Sequence, residues 1–178
     1  MPPAETRPGS TRFDPSWLLL VAAALFLVRV GWGVWESYNP PKKSEKVAWV
    51  EFAGAEALAK QTGKPILYDF TADWCPPCNA MKAELFSDEK SAKAITGMVV
   101  PVRVLDRQRE EGRNAAWVDS LQRAYAVDGF PTLVVFSPKS GRSQRSTGFA
   151  GSQPTLQWIS RSAYAVQSGV APDGTPVR

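Results

Sequence analysis

The sequence predicts an α/β domain carried behind an N-terminal transmembrane helix. Short apolar runs alternate with helical patterns from Val47 onward, which is the signature of an α/β layer architecture. An apolar run, Trp17 to Trp35, precedes them and is long enough to span a bilayer. A cysteine pair, Cys75 and Cys78, falls where a strand gives way to a helix. The chain of 178 residues has room for one domain and a modest appendage, and 44% hydrophobic with 21% charged residues is ordinary globular usage. The net charge of +4 is spread thinly, so no segment reads as a nucleic-acid surface. The chain has no histidine, which removes Ser-His-Asp and Cys-His catalysis and every His-ligated metal site. Two cysteines alone cannot close a four-ligand zinc site or build a disulfide-rich scaffold.

Residues 1–16 are proline-rich without periodicity and read as a disordered leader. Residues 17–35 contain one charge, Arg29, and carry Trp17 at one end and Trp32 and Trp35 at the other, which suits interfacial belts. A cleaved signal peptide is the competing reading; Gly31-Trp32-Gly33 makes a poor cleavage site because Trp32 is bulky. Arg7 and Arg12 on one side oppose Lys42, Lys43 and Lys46 on the other, so charge does not orient the helix. Residues 36–46, with Asn39-Pro40-Pro41, read as a semi-extended linker.

The domain is expected over residues 47–168, with a loose tail over 169–178. Val47–Phe52 reads as a strand, Gly54–Gln61 as a helix stopped by Gly63 and Pro65, and Ile66–Thr71 as a buried strand. A helix opens near Cys75 with Cys78, Met81 and Leu85 on one face, and Ser87 is expected to cap the next. Met98–Leu105 is a strand whose Pro101 argues for an edge or a bulge. After a charged loop, Asp106–Asn114, the residues Trp117, Leu121 and Tyr125 stripe a helix. Thr132–Ser137 and Ser143–Phe149 form a hairpin, and Leu156, Ile159, Ala163 and Val166 stripe the last helix.

Trp74-Cys75-Pro76-Pro77-Cys78 carries the chemistry. A helix N-terminus favours the thiolate of its first cysteine, and the two-residue spacing lets the second sulfur attack a mixed disulfide on the first. Pro76 and Pro77 are tolerated because the first helical turn needs no N–H from them. A static disulfide would staple only a very short loop, and half of an intermolecular zinc site would need a partner's ligands. Cys75 is therefore expected to be exposed with a lowered pKa, and Cys78 buried. Trp74 is placed to shape the contact surface beside Cys75.

The run Tyr68-Asp69-Phe70-Thr71-Ala72-Asp73-Trp74-Cys75-Pro76-Pro77-Cys78, followed by Gly129-Phe130-Pro131-Thr132, resembles the two signatures of the thioredoxin superfamily. Ala72-Asp73-Trp74-Cys75 with Phe86-Ser87-Asp88 is especially similar to the C-terminal thioredoxin-like domain of the DsbD family of thiol:disulfide interchange proteins. The resemblance implies a thioredoxin fold: a central mixed sheet of five strands in the order 1-3-2-4-5, with helices on both faces. It implies that Cys75 attacks and Cys78 resolves, and that Asp69 is the buried acid that moves the proton of Cys78. It also implies that Pro131 is cis, leaving Phe130 to pair with a substrate strand, and that Gly148 belongs to the substrate groove. The basic residue that thioredoxin proper sets near its acid finds no clear counterpart, since the alignment puts Val102 there and Arg103 next to it.

The function these readings imply is a membrane-anchored thiol–disulfide oxidoreductase that reduces or exchanges disulfides in client proteins. It needs no cofactor and no metal. Its implied partners are disulfide-bearing clients, an upstream thiol electron donor and the membrane, with no nucleic acid. Its implied location is the bacterial inner membrane, single-pass, with the domain facing the periplasm. A non-enzymatic adaptor tethered to a membrane complex and a dedicated cytochrome-maturation reductase are the alternatives. Pro76 and Pro77 leave electron flow open in either direction.

Overall fold

The computed structural model describes residues 16–38 and 44–170, in two units, Met1–Lys42 and Lys43–Arg178. The expected leader up to residue 15, residues 39–43 of the linker and residues 171–178 of the tail lie outside the described residues. In the first unit, α1 (Ser16–Tyr38) extends the expected 17–35 helix at both ends. Its stretch Trp17–Val34 has a mean hydropathy of 2.0 and none of it is buried. At 1.5 Å per residue the 23-residue helix is about 34 Å long, which matches a bilayer core of about 30 Å.

The second unit is built on a four-stranded sheet in the order β2-β1-β3-β4. These strands are β1 (Ile66–Ala72), β2 (Val100–Asp106), β3 (Thr132–Phe136) and β4 (Ser143–Thr147). β1 runs parallel to β2 and antiparallel to β3, and β4 closes an antiparallel hairpin. The helices are α2 (Phe52–Thr62), α3 (Pro76–Met81), α4 (Glu89–Met98), α5 (Gln108–Glu111), α6 (Ala116–Ala124) and α7 (Ser152–Ser168). A π-helical turn, Lys82–Phe86, continues α3.

The pleat sorts β1 into two cores. Ile66, Tyr68 and Phe70 pack with Val102, Val104 and Val134 against Ala55 and Ala59 of α2 and Val118 of α6. Leu67 packs on the opposite face with Leu133 and Val135 against Met81, Leu85, Ile95 and Ile159. Each large apolar side chain fully buried this way contributes roughly 1.5–3 kcal/mol. Asp69 shares the face of Leu67, so the pleat sends a carboxylate into the layer that α3 covers.

Two expectations are corrected. Val47–Phe52 forms no strand, so the sheet has four strands rather than five, and the order of the remaining four is as expected. Val100 donates its N–H to Pro65 O, which turns Pro101 and Arg103 toward the open edge of β2. There Pro101 O accepts one bond from Val50 N–H at 2.8 Å, but Pro101 has no N–H to return a second. The cap of α4 is Asp88, not Ser87: Asp88 Oδ1 accepts from the Ser91 N–H at 2.8 Å, while the Ser87 hydroxyl donates to Lys82 O.

The expected charged loop 106–114 holds a short helix, α5, organised by one buried side chain. Asp106 Oδ1 accepts from the Gln108 N–H, and Oδ2 accepts from Asn114 Nδ2 and Gln122 Nε2. Asn114 Oδ1 in turn accepts from the Arg107 N–H at 2.6 Å. Asp106→Ala strands these donors in a half-buried site and is expected to cost about 1–3 kcal/mol. Chemical denaturation of the full chain in detergent checks this; an unchanged midpoint would show that the loop holds its shape without Asp106.

Candidate active site

β1 delivers the chain to the site, and a tight turn at Asp73 and Trp74 redirects it into α3. Cys75 is the N-cap of α3, with its own N–H donating to Ala72 O at 3.2 Å and Pro76 and Pro77 filling the first helical positions. The Cys78 N–H donates to Cys75 Sγ at 3.3 Å, so the first sulfur takes up one of the open donors of the helix start. Cys75 and Cys78 are joined in a disulfide with their Cα atoms 5.3 Å apart. In this oxidised form Cys75 is only 2% exposed, against the expectation of an exposed first cysteine. Ala72, Cys78 and the half-buried Phe130 pack around it.

The loop from β3 meets the cysteines through Phe130. The Phe130–Pro131 peptide bond is cis. Thr132 Oγ1 donates to Gly129 O at 2.7 Å and pins the loop from within. Gly148, at φ 89°, donates its N–H to Pro131 O at 2.8 Å; a residue with a Cβ rarely adopts that backbone. The Trp74 ring meets Phe130 edge-on with centroids 6.1 Å apart and stays 44% exposed, an apolar surface beside Cys75. Contacts thus join the buried Cys75, Cys78 and Pro131 with Phe130, Trp74 and Gly148 into one cluster, which reaches the surface through Trp74.

Asp69 is buried inside β1, behind that surface. Burial pushes its carboxyl up to about 6, against the opposing charge and hydrogen bond of Arg103 and with a like-charge contribution from Glu45. Its Oδ1 is buried without a hydrogen-bond partner among the described residues, and its Oδ2 accepts from Arg103 Nε at a long 3.4 Å. A carboxyl held this loosely can gain or lose a proton near neutral pH.

Arg103 overturns the expectation that the buried acid has no basic neighbour. Asp69 and Arg103 are paired across β1 and β2, which puts both side chains on the α3 face, whereas Val102 faces the other core. The signal was in the alternation of β2: its valines at 100, 102 and 104 mark the opposite face. Two further contacts come from the 106–114 loop. Arg107 Nη1 lies 3.6 Å from Asp73 Oδ2, and the Arg109 guanidinium lies 5.3 Å from the Trp74 ring centroid. No sequence pattern pointed to them, because they depend on where the loop folds.

Comparison with known proteins agrees with this geometry. The thiol:disulfide interchange protein DsbD of Yersinia enterocolitica is 29% identical over 149 residues, covering 79% of this chain and 25% of that protein. The chain spans about a quarter of the length of the curated relatives it matches. A solved structure of a DsbH oxidoreductase is 26% identical with a TM-score of 0.55, covering 71% of this chain and 89% of its own. The C-terminal domain of Neisseria meningitidis DsbD in its oxidised form, 23% identical with a TM-score of 0.51 over 62% of this chain and 90% of its own, shares the fold. Residues 52–163 match the family described as "Thioredoxin-like domain". That match spans most of the second unit, and the chain belongs to the thioredoxin-like domain family.

Proposed function

We propose that this chain is a membrane-anchored thiol–disulfide oxidoreductase that reduces or exchanges disulfides in extracytoplasmic client proteins. The observation that carries the reading is the Cys75–Cys78 disulfide at a helix start, beside an exposed Trp74 and ahead of a buried, half-satisfied Asp69. The name of the Yersinia relative, a thiol:disulfide interchange protein, supports it.

The reaction follows from the arrangement. In the reduced protein the Cys75 thiolate attacks one sulfur of a client disulfide, forming a mixed disulfide and releasing the other client sulfur as a thiolate. Cys78 then gives its proton to Asp69 and attacks Cys75 Sγ, which forms the intramolecular disulfide and releases the second client thiolate. Two protons complete two client thiols; the client gains two electrons and the cysteine pair loses two. An upstream dithiol donor restores the pair by the same two exchanges in reverse: its first thiolate attacks Cys75 Sγ and frees Cys78, and its second attacks the first, which frees Cys75 and leaves the donor as a disulfide. Phe130, presented beside Pro131, and Trp74 hold the client backbone, with Gly148 bordering the groove.

The cysteines are tested by insulin reduction. Cys75→Ser is expected to abolish turnover, while Cys78→Ala accumulates mixed disulfides through Cys75 with several clients. Wild-type turnover no higher than that of Cys75→Ser would leave only the adaptor reading.

Orientation is tested by a reporter fused after Arg178. Alkaline phosphatase activity is expected, with α1 spanning the bacterial inner membrane once and residues 47–178 facing the periplasm. Fluorescence confined to the cytoplasm would reverse the topology.

Asp69 is tested through pH. Its proton affinity is raised in the native state, from about 3.9 in an unfolded chain to about 6. The native state therefore binds more protons between those values, and its stability is greatest below about pH 4 and falls as pH rises through about 6. Asp69→Asn is expected to stabilise the oxidised protein by on the order of 2–3 kcal/mol above that range and by nothing below it, while slowing the resolving step about a hundred-fold at neutral pH. Denaturation and stopped-flow series across pH measure both. A stability difference that is flat with pH would contradict the assignment.

A further inference from the structure

The Arg103 guanidinium is shared between two carboxylates. Its Nε reaches Asp69 Oδ2 at 3.4 Å, while its Nη1 lies 2.7 Å from both Oε1 and Oε2 of Glu45. The stronger partner is therefore Glu45, which belongs by sequence to the expected linker but whose side chain is only 12% exposed against the folded unit. The backbone beside it is fixed by Lys46 N–H donating to Phe86 O at 2.8 Å. Trp49 completes the arrangement. Its Nε1–H donates to Glu45 Oε2 at 2.6 Å, and its ring packs over the guanidinium with 4.1 Å from Cζ to the centroid. Trp49 is itself braced edge-on against Phe86 at 4.9 Å.

We propose that Glu45 is a positioning residue for Asp69, acting through Arg103: it holds the guanidinium back so that Asp69 stays free to take up the proton of Cys78. The inference rests on the reading of Asp69 as the proton acceptor. An arginine on one strand facing an aspartate on the next has the donors for a short two-point pair, and such a pair would keep the carboxylate ionised and idle. Here the Glu45 carboxylate takes the Nη1 donor at short range and leaves Asp69 only a long contact from Nε, with Oδ1 bare.

The other charged groups around the pair fit this role. Lys82 of the π-helical turn lies 2.9 Å from Glu45 Oε1 and helps keep Glu45 ionised. Burial disfavours the Glu45 carboxylate, but its bonds from Arg103 and Lys82 outweigh that and hold its pKa below the usual range. The start of α3 brings Cys75 and Cys78, which are joined in a disulfide and carry no charge in this oxidised form, and from β3 the residue paired with Asp69 is the apolar Leu133. Glu45 thus stays charged across the range in which Asp69 titrates.

The sign of the effect separates this role from a merely structural one. Without Glu45, Arg103 is free to close on Asp69, so Glu45→Gln is expected to move the titration of Asp69 down by about half a pH unit or more. Arg103→Gln removes the cation and is expected to move it up. In the Arg103→Gln background, Glu45→Gln loses most of its effect, because the path through the guanidinium is gone. Glu45→Asp keeps the charge and stays nearest the wild type.

Two readouts on the full chain in detergent follow this. The first is the pH profile of stopped-flow release of the second thionitrobenzoate after reduced protein is mixed with dithionitrobenzoate, which reports the attack of Cys78 on the Cys75 adduct. The second is the Asp69 carboxyl titration by carbon NMR in the oxidised protein, which needs no activity. Opposite shifts for the two single variants in the NMR titration, with the Glu45→Gln shift lost in the Arg103→Gln background, support the proposal; a shift kept in full in that background is the direct like-charge effect of Glu45 and overturns it. Shifts of the same sign, or none for Glu45→Gln, overturn it while leaving the oxidoreductase reading intact. A wild-type stopped-flow profile retained by Asp69→Asn overturns the role of Asp69, and with it the role of Glu45.

Discussion

Everything at this site depends on β1 being closed on all sides. The strand is hydrogen-bonded to β2 on one edge and β3 on the other, and helices cover both faces. From Ile66 to Phe70 such a strand has no solvent-facing position, so a carboxylate at Asp69 must be buried or the pleat must break. Five apolar neighbours on β1, from Ile66 to Ala72, hold the pleat in register. The same strand ends at Ala72, whose carbonyl receives the Cys75 N–H, so the rigid core of the sheet also sets where the cysteine pair begins. The acid on β1 and the cysteines at the start of α3 are thus both placed by this strand, and a change in its register would displace both.

The surface in front of the cysteines is assembled by weaker forces. The cis peptide at Pro131, the Gly148 bond to its carbonyl and the edge-on contact of Trp74 with Phe130 come from three separate segments. The 106–114 loop adds Arg107 near Asp73 and Arg109 near Trp74, exposed charges that salt screens and that carry little stability. What keeps the loop in place is the buried Asp106, which joins Gln108, Asn114 and Gln122 around one carboxylate. Stability and surface chemistry are therefore separated within the same loop. The exchange proposed for this chain calls for such a division, a firm base behind the cysteines and an adaptable face in front of them.

Much of the architecture was legible because burial leaves periodic marks. The apolar run Ile66–Thr71, the stripe through Ile159, Ala163 and Val166, and the stop at Gly63 all reflect one-dimensional rules about which segments meet a core. Val47–Phe52 misled for the same reason: its residues are apolar enough for a strand, but a strand needs a partner edge, and Pro101 removes a donor from that edge. Ser87 and Asp88 are both good caps by type, and the π-helical turn ahead of them decided which one faced the helix.

By itself the sequence determined the alternation of strands and helices from Ile66 onward, the apolar helix at the start, the cysteine pair at a helix N-terminus and the acid on the strand leading into it. Each of these is set by local spacing, where period, cap and breaker act within a few residues. Only the tertiary structure decided which basic residue meets Asp69, that Glu45 reaches it from outside the expected domain, and that Cys75 is buried when oxidised. Glu45 and Arg103 stand 58 residues apart in the chain. Their contact is fixed by strand register and by Trp49 packing on the guanidinium, and no local pattern encodes where two distant segments will close on one another.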